Sequence, residues 1–250
     1  MQQRSYLKNN LYICNMENIQ KYLNDDNVCA IYPLGSRVYG SYTDDSDYDY
    51  ILICHEFFHS KDINVHVYTI EQYKQALNNH EIQALECYFI DDNLIVKYLD
   101  NTFDGLFNLD KSKLRISIST ISSNSWVKGK KKLIIAGDYD PYLAIKSIFH
   151  SLRILDFGIQ IGSTGSIINY GSMNWLLEDL KKMSLQYQRD ELWNAIDTKY
   201  RSLYNEKSSQ FKQLCPKALN ENDMKKELRI ILKNHKVTDG ELNKILALFK

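Results

Sequence analysis

The chain has no excess charge of either sign. Its 250 residues carry 31 Lys and Arg against 31 Asp and Glu, so no global cationic field marks it as a nucleic-acid binder and only a local patch could serve that end. Proline (three) and glycine (ten) are scarce, and no Pro/Gly/Ser linker separates one domain from another. Five cysteines, Cys14, Cys29, Cys54, Cys87 and Cys215, are scattered and form no Cys-x-x-Cys pair. An odd, dispersed set predicts reduced thiols that fill the core, and argues against a disulfide framework and a zinc site. No apolar run approaches the roughly 20 residues that span a bilayer. The first residues, MQQRSYLKNNLYIC, lack the apolar stretch of a signal peptide. A cytoplasmic protein without a membrane partner is expected.

What is present suits a globular fold. Hydrophobic residues make up 44% and charged residues 25%, enough to build a core and keep a polar surface. A short helix is expected over 16–24, then a strand Val28–Tyr32 running into a Gly35-Ser36 turn. Asp49–Cys54, DYILIC, is an apolar run of strand length. Residues Ile63–Tyr68 alternate, with Ile63, Val65 and Val67 on one side and Asn64, His66 and Tyr68 on the other. Thr69 and Gln72 have capping-box spacing, which predicts a helix over 70–78. A helix is expected near 81–89, and a strand over 94–98.

The rest reads as helical. Asp140 as N-cap, Pro141 at the first position and Gly158 beyond the end predict a helix Pro141–Phe157. Gly162 to Ser166 reads as a turn. Further helices are expected over 172–183, 186–205, 222–233 and 238–249. Arg115–Ser122, RISISTIS, alternates like a strand but follows Asp110 and leads into a lysine-rich stretch. The expected order is a mixed α/β part, 1–110, and an all-helical part, 111–250, packed closely with a cleft between them.

One stretch carries chemistry. In LGSRVYGSYTDDSDYDYILI, Asp44, Asp45, Asp47 and Asp49 crowd together ahead of an apolar strand, although Asp is a poor strand former. Ten residues separate Ser36 from Asp47. Gly35 allows a tight turn and close backbone approach to a ligand. Ser36, at a helix start, can offer its N–H and hydroxyl to phosphate. Asp47 and Asp49, two apart on a strand, project to one face. Two converging carboxylates repel each other unless a cation holds them, and hard oxygen ligands suit Mg²⁺.

This G-S-x₁₀-D-x-D arrangement between two strands resembles the signature of the DNA polymerase β-like nucleotidyltransferase superfamily, and Gly40 and Ser46 match two further positions of its pattern. The resemblance implies an α+β fold, a small mixed-sheet nucleotidyltransferase core followed by a helical substrate-binding domain. It implies an Mg²⁺- or Mn²⁺-dependent transfer of NMP from an NTP to a hydroxyl acceptor, with release of pyrophosphate. Gly35 and Ser36 would then hold the β/γ-phosphates, and Asp47 and Asp49 the metal. The family has a third carboxylate on the next strand. Here that strand offers Asn64 and His66, so the candidates for a third ligand are Asn64, His66, Asp62 just before it, and Glu86 in a following helix.

Lys146, His150 and Arg153, in KSIFHSLRILDFG, lie at i, i+4 and i+7. They form either a solvated helix face or a cationic cleft wall that contacts nucleotide. The stretch resembles the helical domain of predicted nucleotidyltransferases often encoded near RNA ligases, as do Ser125 to Lys128 and Gly165 to Tyr170. That resemblance favours the cleft wall, favours a helix for RISISTIS, and implies an RNA end as acceptor. A small molecule or a protein hydroxyl is the alternative acceptor. A non-catalytic nucleotide- or RNA-binding regulator is the alternative function, suggested by the missing third acid. Lys128 to Lys132, beside Trp126, is either a soluble face or a grip for a phosphate backbone with a stacking aromatic.

Overall fold

The computed structural model describes residues 19–98 and 103–218, together with Lys226 and Ile230. The chain divides into two compact units, Met1–Cys215 and Pro216–Lys250. In the second, Lys226 and Ile230 are helical. The remainder of the helix expected over 222–233, the helix expected over 238–249 and the start of the one expected over 16–24 lie outside the described residues. The first unit is α+β.

Its elements in order are α1 (Gln20–Leu23), β1 (Val28–Leu34), α2 (Ser36–Tyr39), β2 (Asp49–Cys54), β3 (Val65–Thr69), α3 (Ile70–Asn78), α4 (Ile82–Tyr88), a 3₁₀ turn Asp92–Leu94, β4 (Lys97–Tyr98), and four longer helices. These are α5 (Lys111–Ile134), α6 (Pro141–Thr164), α7 (Asn174–Gln186) and α8 (Arg189–Leu214). The strands form one mixed sheet in the order β3-β2-β1-β4. β1 runs antiparallel to β2 and β4, and β2 runs parallel to β3.

β1 extends two residues past the expected end, through Pro33. The register explains why proline is tolerated there. Pro33 pairs with Tyr50, whose N–H goes to the Asn64 carbonyl on the β3 side at 2.8 Å. The Pro33 nitrogen therefore faces away from β2. β4 pairs only with Ala30 and Ile31, so no ladder bond is lost at Pro33.

The two faces of the sheet bury different cores. Ala30, Tyr32, Leu34, Ile51 and Ile53 pack with Tyr73 and Leu77 of α3, Leu85 of α4, Leu114 and Ile118 of α5, and Ile154 and Phe157 of α6. Val28, Ile31, Tyr50, Leu52 and Val65 pack with Ile19 and Tyr22. A third core, with Trp126, Ile148, Leu152, Leu176 and Ile196, holds α5 to α8 together. Cys29, Cys54, Cys87 and Cys215 are buried, Cys87 and Cys215 in the first of these cores. Among the described residues no helix is long and apolar enough to cross a membrane.

Local chemistry fixes the helix starts. Thr69 and Gln72 form the reciprocal capping box. Asp110 accepts from the N–H groups of Ser112 and Lys113, and Asp140 from Leu143 ahead of Pro141. RISISTIS is helical, inside α5. The end of α6 differs from expectation: it passes through Gly158 and Gly162 and stops at Gly165, which takes φ 83°. Both internal glycines are packing contacts. A Cβ on Gly158 would lie 2.8 Å from Ile118 and 2.9 Å from Phe211, and one on Gly162 would lie 2.8 Å from Cys215 Sγ. Of the strand expected over 94–98 only Lys97 and Tyr98 are strand, and Leu94 ends the 3₁₀ turn. α7 starts two residues later than expected, and α8 runs nine residues further, to Leu214.

Candidate active site

The β1–β2 register sets Leu34 opposite Asp49, so the turn that follows β1 lies beside the acids that open β2. Gly35 adopts φ 81°, and its missing Cβ would lie 2.4 Å from Asp49 Oδ2. Backbone and carboxylate meet with nothing between them. Ser36 opens α2, a single turn closed by Gly40 in the left-handed region.

The loop that carries the acids is pinned by Arg37, a residue the sequence reading passed over. Its Nε and Nη2 both donate to the Ser46 carbonyl, at 3.2 and 2.7 Å. Its guanidinium lies 3.6 Å from the centre of the Tyr48 ring and 5.1 Å from that of Tyr42. Ser46 Oγ accepts from the Thr43 N–H at 2.8 Å. The available signal was an arginine directly after Gly-Ser, ahead of a tyrosine-rich loop.

Asp49 shares a sheet face with Ile51 and Ile53 and is half-buried, while Asp47 is exposed. Burial, then the charge of Asp47, pushes the Asp49 pKa above the usual carboxylate value, and His66 and Lys146 oppose the shift. Among the described residues no hydrogen bond supports the Asp49 carboxylate. The pair therefore carries repulsion that a bound cation would relieve. Among the described residues no cluster of three His, Cys, Asp or Glu side chains stands ready for a metal. Two carboxylates still fit Mg²⁺, which completes its shell with substrate phosphates and water.

The four candidates for a third ligand go to different places. His66, exposed on β3, faces Asp49 through its charge. Asn64 holds the sheet through its carbonyl. Asp62 pairs with Lys21 at 2.9 Å. Glu86 is fully buried, and its Oε2 accepts from the Tyr39 hydroxyl at 3.0 Å. Burial raises the Glu86 pKa, and Arg153 opposes this.

The α6 stripe is neither a solvated face nor uniformly charged. Lys146 is exposed, acts on Asp49 and lies 4.4 Å from the Tyr142 ring centre. His150 is neutral: burial, then Arg153 and Lys128, lowers its pKa to about 3. Arg153 is buried, with its guanidinium 3.6 Å from the centre of the Tyr39 ring. Tyr39 is held further by Asn174 Nδ2, which donates to its carbonyl at 2.7 Å, and by the Tyr170 ring stacked against it.

The lysine run makes no single patch. Successive residues turn about 100° around α5, so Lys128 faces His150, Lys130 lies over Trp193 and Lys132 pairs with Asp138. Trp126 is buried against Trp193 and Tyr204 and offers no stacking surface. Comparison of the chain with protein-family models, curated proteins and solved structures finds no match.

Proposed function

We propose that the protein is a metal-dependent nucleotidyltransferase that moves NMP from an NTP to a hydroxyl acceptor and releases pyrophosphate. The observation that carries this reading is the direct apposition of Gly35 and Asp49. It sets the Gly35-Ser36 turn next to a pair of carboxylates that repel each other. The motif's resemblance to the DNA polymerase β-like superfamily supports the same reading.

Asp47 and Asp49 would hold Mg²⁺ or Mn²⁺. Such an ion supplies Lewis-acid chemistry, activating the acceptor hydroxyl and neutralising charge on the leaving pyrophosphate. The chain's own part is to bind and orient. Gly35 leaves room for the Asp49 carboxylate against the backbone, which sets it beside Ser36, and Ser36 offers N–H and hydroxyl donors to the β/γ-phosphates. Lys146, close enough to act on Asp49, brings positive charge to the triphosphate. Arg37 fixes the loop so that Asp47 and Asp49 keep their spacing. An RNA end is the acceptor that the second resemblance favours.

A nucleotide-binding regulator without catalysis is the second reading. It is favoured by His66, an imidazole facing Asp49 from β3 where the superfamily has an acid. The test supplies each α-labelled NTP separately, with Mg²⁺ or Mn²⁺ and total RNA, to the wild type and to Asp47→Ala/Asp49→Ala. Label in RNA that requires both acids supports the transferase. Label on the protein itself would make a protein hydroxyl the acceptor. No transfer under any condition, with NTP still raising Tm, would replace the transferase by the regulator.

A further inference from the structure

Lys146, His150 and Arg153 run along α6; one end of the stripe packs on the Gly35–Tyr39 turn and the other acts through its charge on the carboxylate beside it. Lys146 acts on Asp49, which touches Gly35. Arg153 stacks on Tyr39, the last residue of α2. His150 lies between them, about one helical turn from each.

Arg153 decides which nitrogen of His150 carries the proton. Its Nη2 lies 2.9 Å from His150 Nδ1. A guanidinium has donors only, so Nδ1 accepts, and the single proton of the neutral ring is on Nε2. Arg153 is not free to turn away. It is buried, it stacks on Tyr39, and the Phe149 and Phe157 ring centres lie 5.4 and 5.6 Å from its guanidinium.

The charges around His150 keep the ring neutral. Lys128 of α5 and Arg153 of α6 both disfavour protonation, in addition to burial. Glu86 of α4, which faces Arg153 through its charge, accepts from the Tyr39 hydroxyl of α2. His150 remains half-buried, and among the described residues Nε2 has no hydrogen-bond partner.

We propose that His150 is an uncharged hydrogen-bond donor to a phosphate oxygen of the bound nucleotide, with its Nε2–H tautomer set by Arg153, and that Arg153 is a positioning residue without substrate contact. The inference rests on the nucleotidyltransferase reading for the identity of the ligand. It also removes His150 as a general base, because Nδ1 is occupied and Nε2 is already protonated.

The test is a long-range ¹⁵N–¹H imidazole spectrum of the full chain in Mg²⁺, with His150 assigned through His150→Gln, recorded between about pH 5 and 8 with and without inorganic tripolyphosphate. The expected spectrum shows an Nε2–H tautomer that does not titrate in this range and an Nε2 signal that shifts on adding tripolyphosphate. An Nδ1–H tautomer, or titration near the ordinary histidine value, overturns the proposal. His150→Ala should weaken tripolyphosphate binding about tenfold and His150→Gln, which keeps an N–H, much less. Equal affinity in wild type and His150→Ala also overturns it. Arg153→Met should free Nδ1 and let the Nδ1–H tautomer appear beside the Nε2–H form, while burial still keeps the ring neutral. The wild-type spectrum decides the tautomer even if that variant does not fold. A non-titrating Nε2–H that responds to tripolyphosphate, in a protein that never transfers label, sinks the transferase reading and leaves this one standing. Acid-dependent transfer with a titrating ring does the reverse.

Discussion

Gly35 and Asp49 are in direct contact: the Cβ that Gly35 lacks would lie 2.4 Å from Asp49 Oδ2. Gly35→Ala therefore meets two obstacles, a φ of 81° that L side chains disfavour and a carboxylate in the way. The expected loss of stability is about 1–2 kcal/mol. If the proposed function holds, the expected loss of NTP turnover is larger, about a hundredfold, because Asp49 would be displaced from the position in which it would hold the metal. Urea unfolding and label transfer on the same preparation separate the two effects. Full activity in Gly35→Ala would remove the apposition from the mechanism.

Asp49 is held against its own charge. Burial and Asp47 raise its folded pKa above the unfolded value, so the fold binds this proton more readily than the unfolded chain does. The associated stability is present at low pH and is lost as pH rises through the folded pKa. Asp49→Asn should then raise Tm at neutral pH and, on the proposed function, abolish transfer. The gain should shrink as pH falls and the wild-type carboxyl protonates. A lower Tm in Asp49→Asn at neutral pH would contradict this.

Gly129 sits in the middle of α5, where glycine normally weakens a helix. Its missing Cβ would lie 2.5 Å from Ile148 Cγ1 and 3.0 Å from the Ala144 carbonyl oxygen of α6. Gly129→Ala should therefore destabilise, by about 1–3 kcal/mol, as overpacking outweighs helix propensity. Chemical denaturation reads the sign directly. A stabilised variant would mean that the two helices separate at little cost.

His80 links α3 to the start of α5. Its Nε2 accepts the Asp110 N–H at 2.8 Å, and its Nδ1 faces the Asn78 carbonyl at 3.1 Å. Burial lowers its pKa below the usual histidine value, against the opposing Asn78 carbonyl. As pH falls, the unfolded chain takes up this proton first. Stability is full above the unfolded pKa of about 6.5 and declines below it. The urea midpoint should fall between about pH 7 and 5, with His150 acting in the same direction. His80→Asn, which tolerates the positive φ of 59°, should flatten part of that slope. An unchanged slope would assign it to other groups.

Much of the fold was legible because its signals are short-range. A capping box, a proline after an aspartate and an apolar run of strand length act within a few positions of the chain, so Thr69, Asp140 and β2 could be read directly. The ends of α6 and α8 could not. Gly158 and Gly162 look like helix stops in sequence, and only the approach of Ile118, Phe211 and Cys215 makes them helix interior. The lysine run left a soluble face and a phosphate grip both open, because a line of text hides the rotation of about 200° that parts Lys130 from Lys132.

The same division holds at the candidate site. The sequence by itself determined which groups exist and their spacing: a Gly-Ser turn, two acids on one strand face, and a polar stripe on a helix. Only the tertiary structure decided which of them meet and in what charge state. Lys146 acts on Asp49, Arg37 clamps the acidic loop, Arg153 lies inside against Tyr39, and His150 is neutral. The physical reason is that backbone geometry propagates over a few residues, whereas burial and Coulomb interaction depend on neighbours in space, which the chain brings together from distant positions.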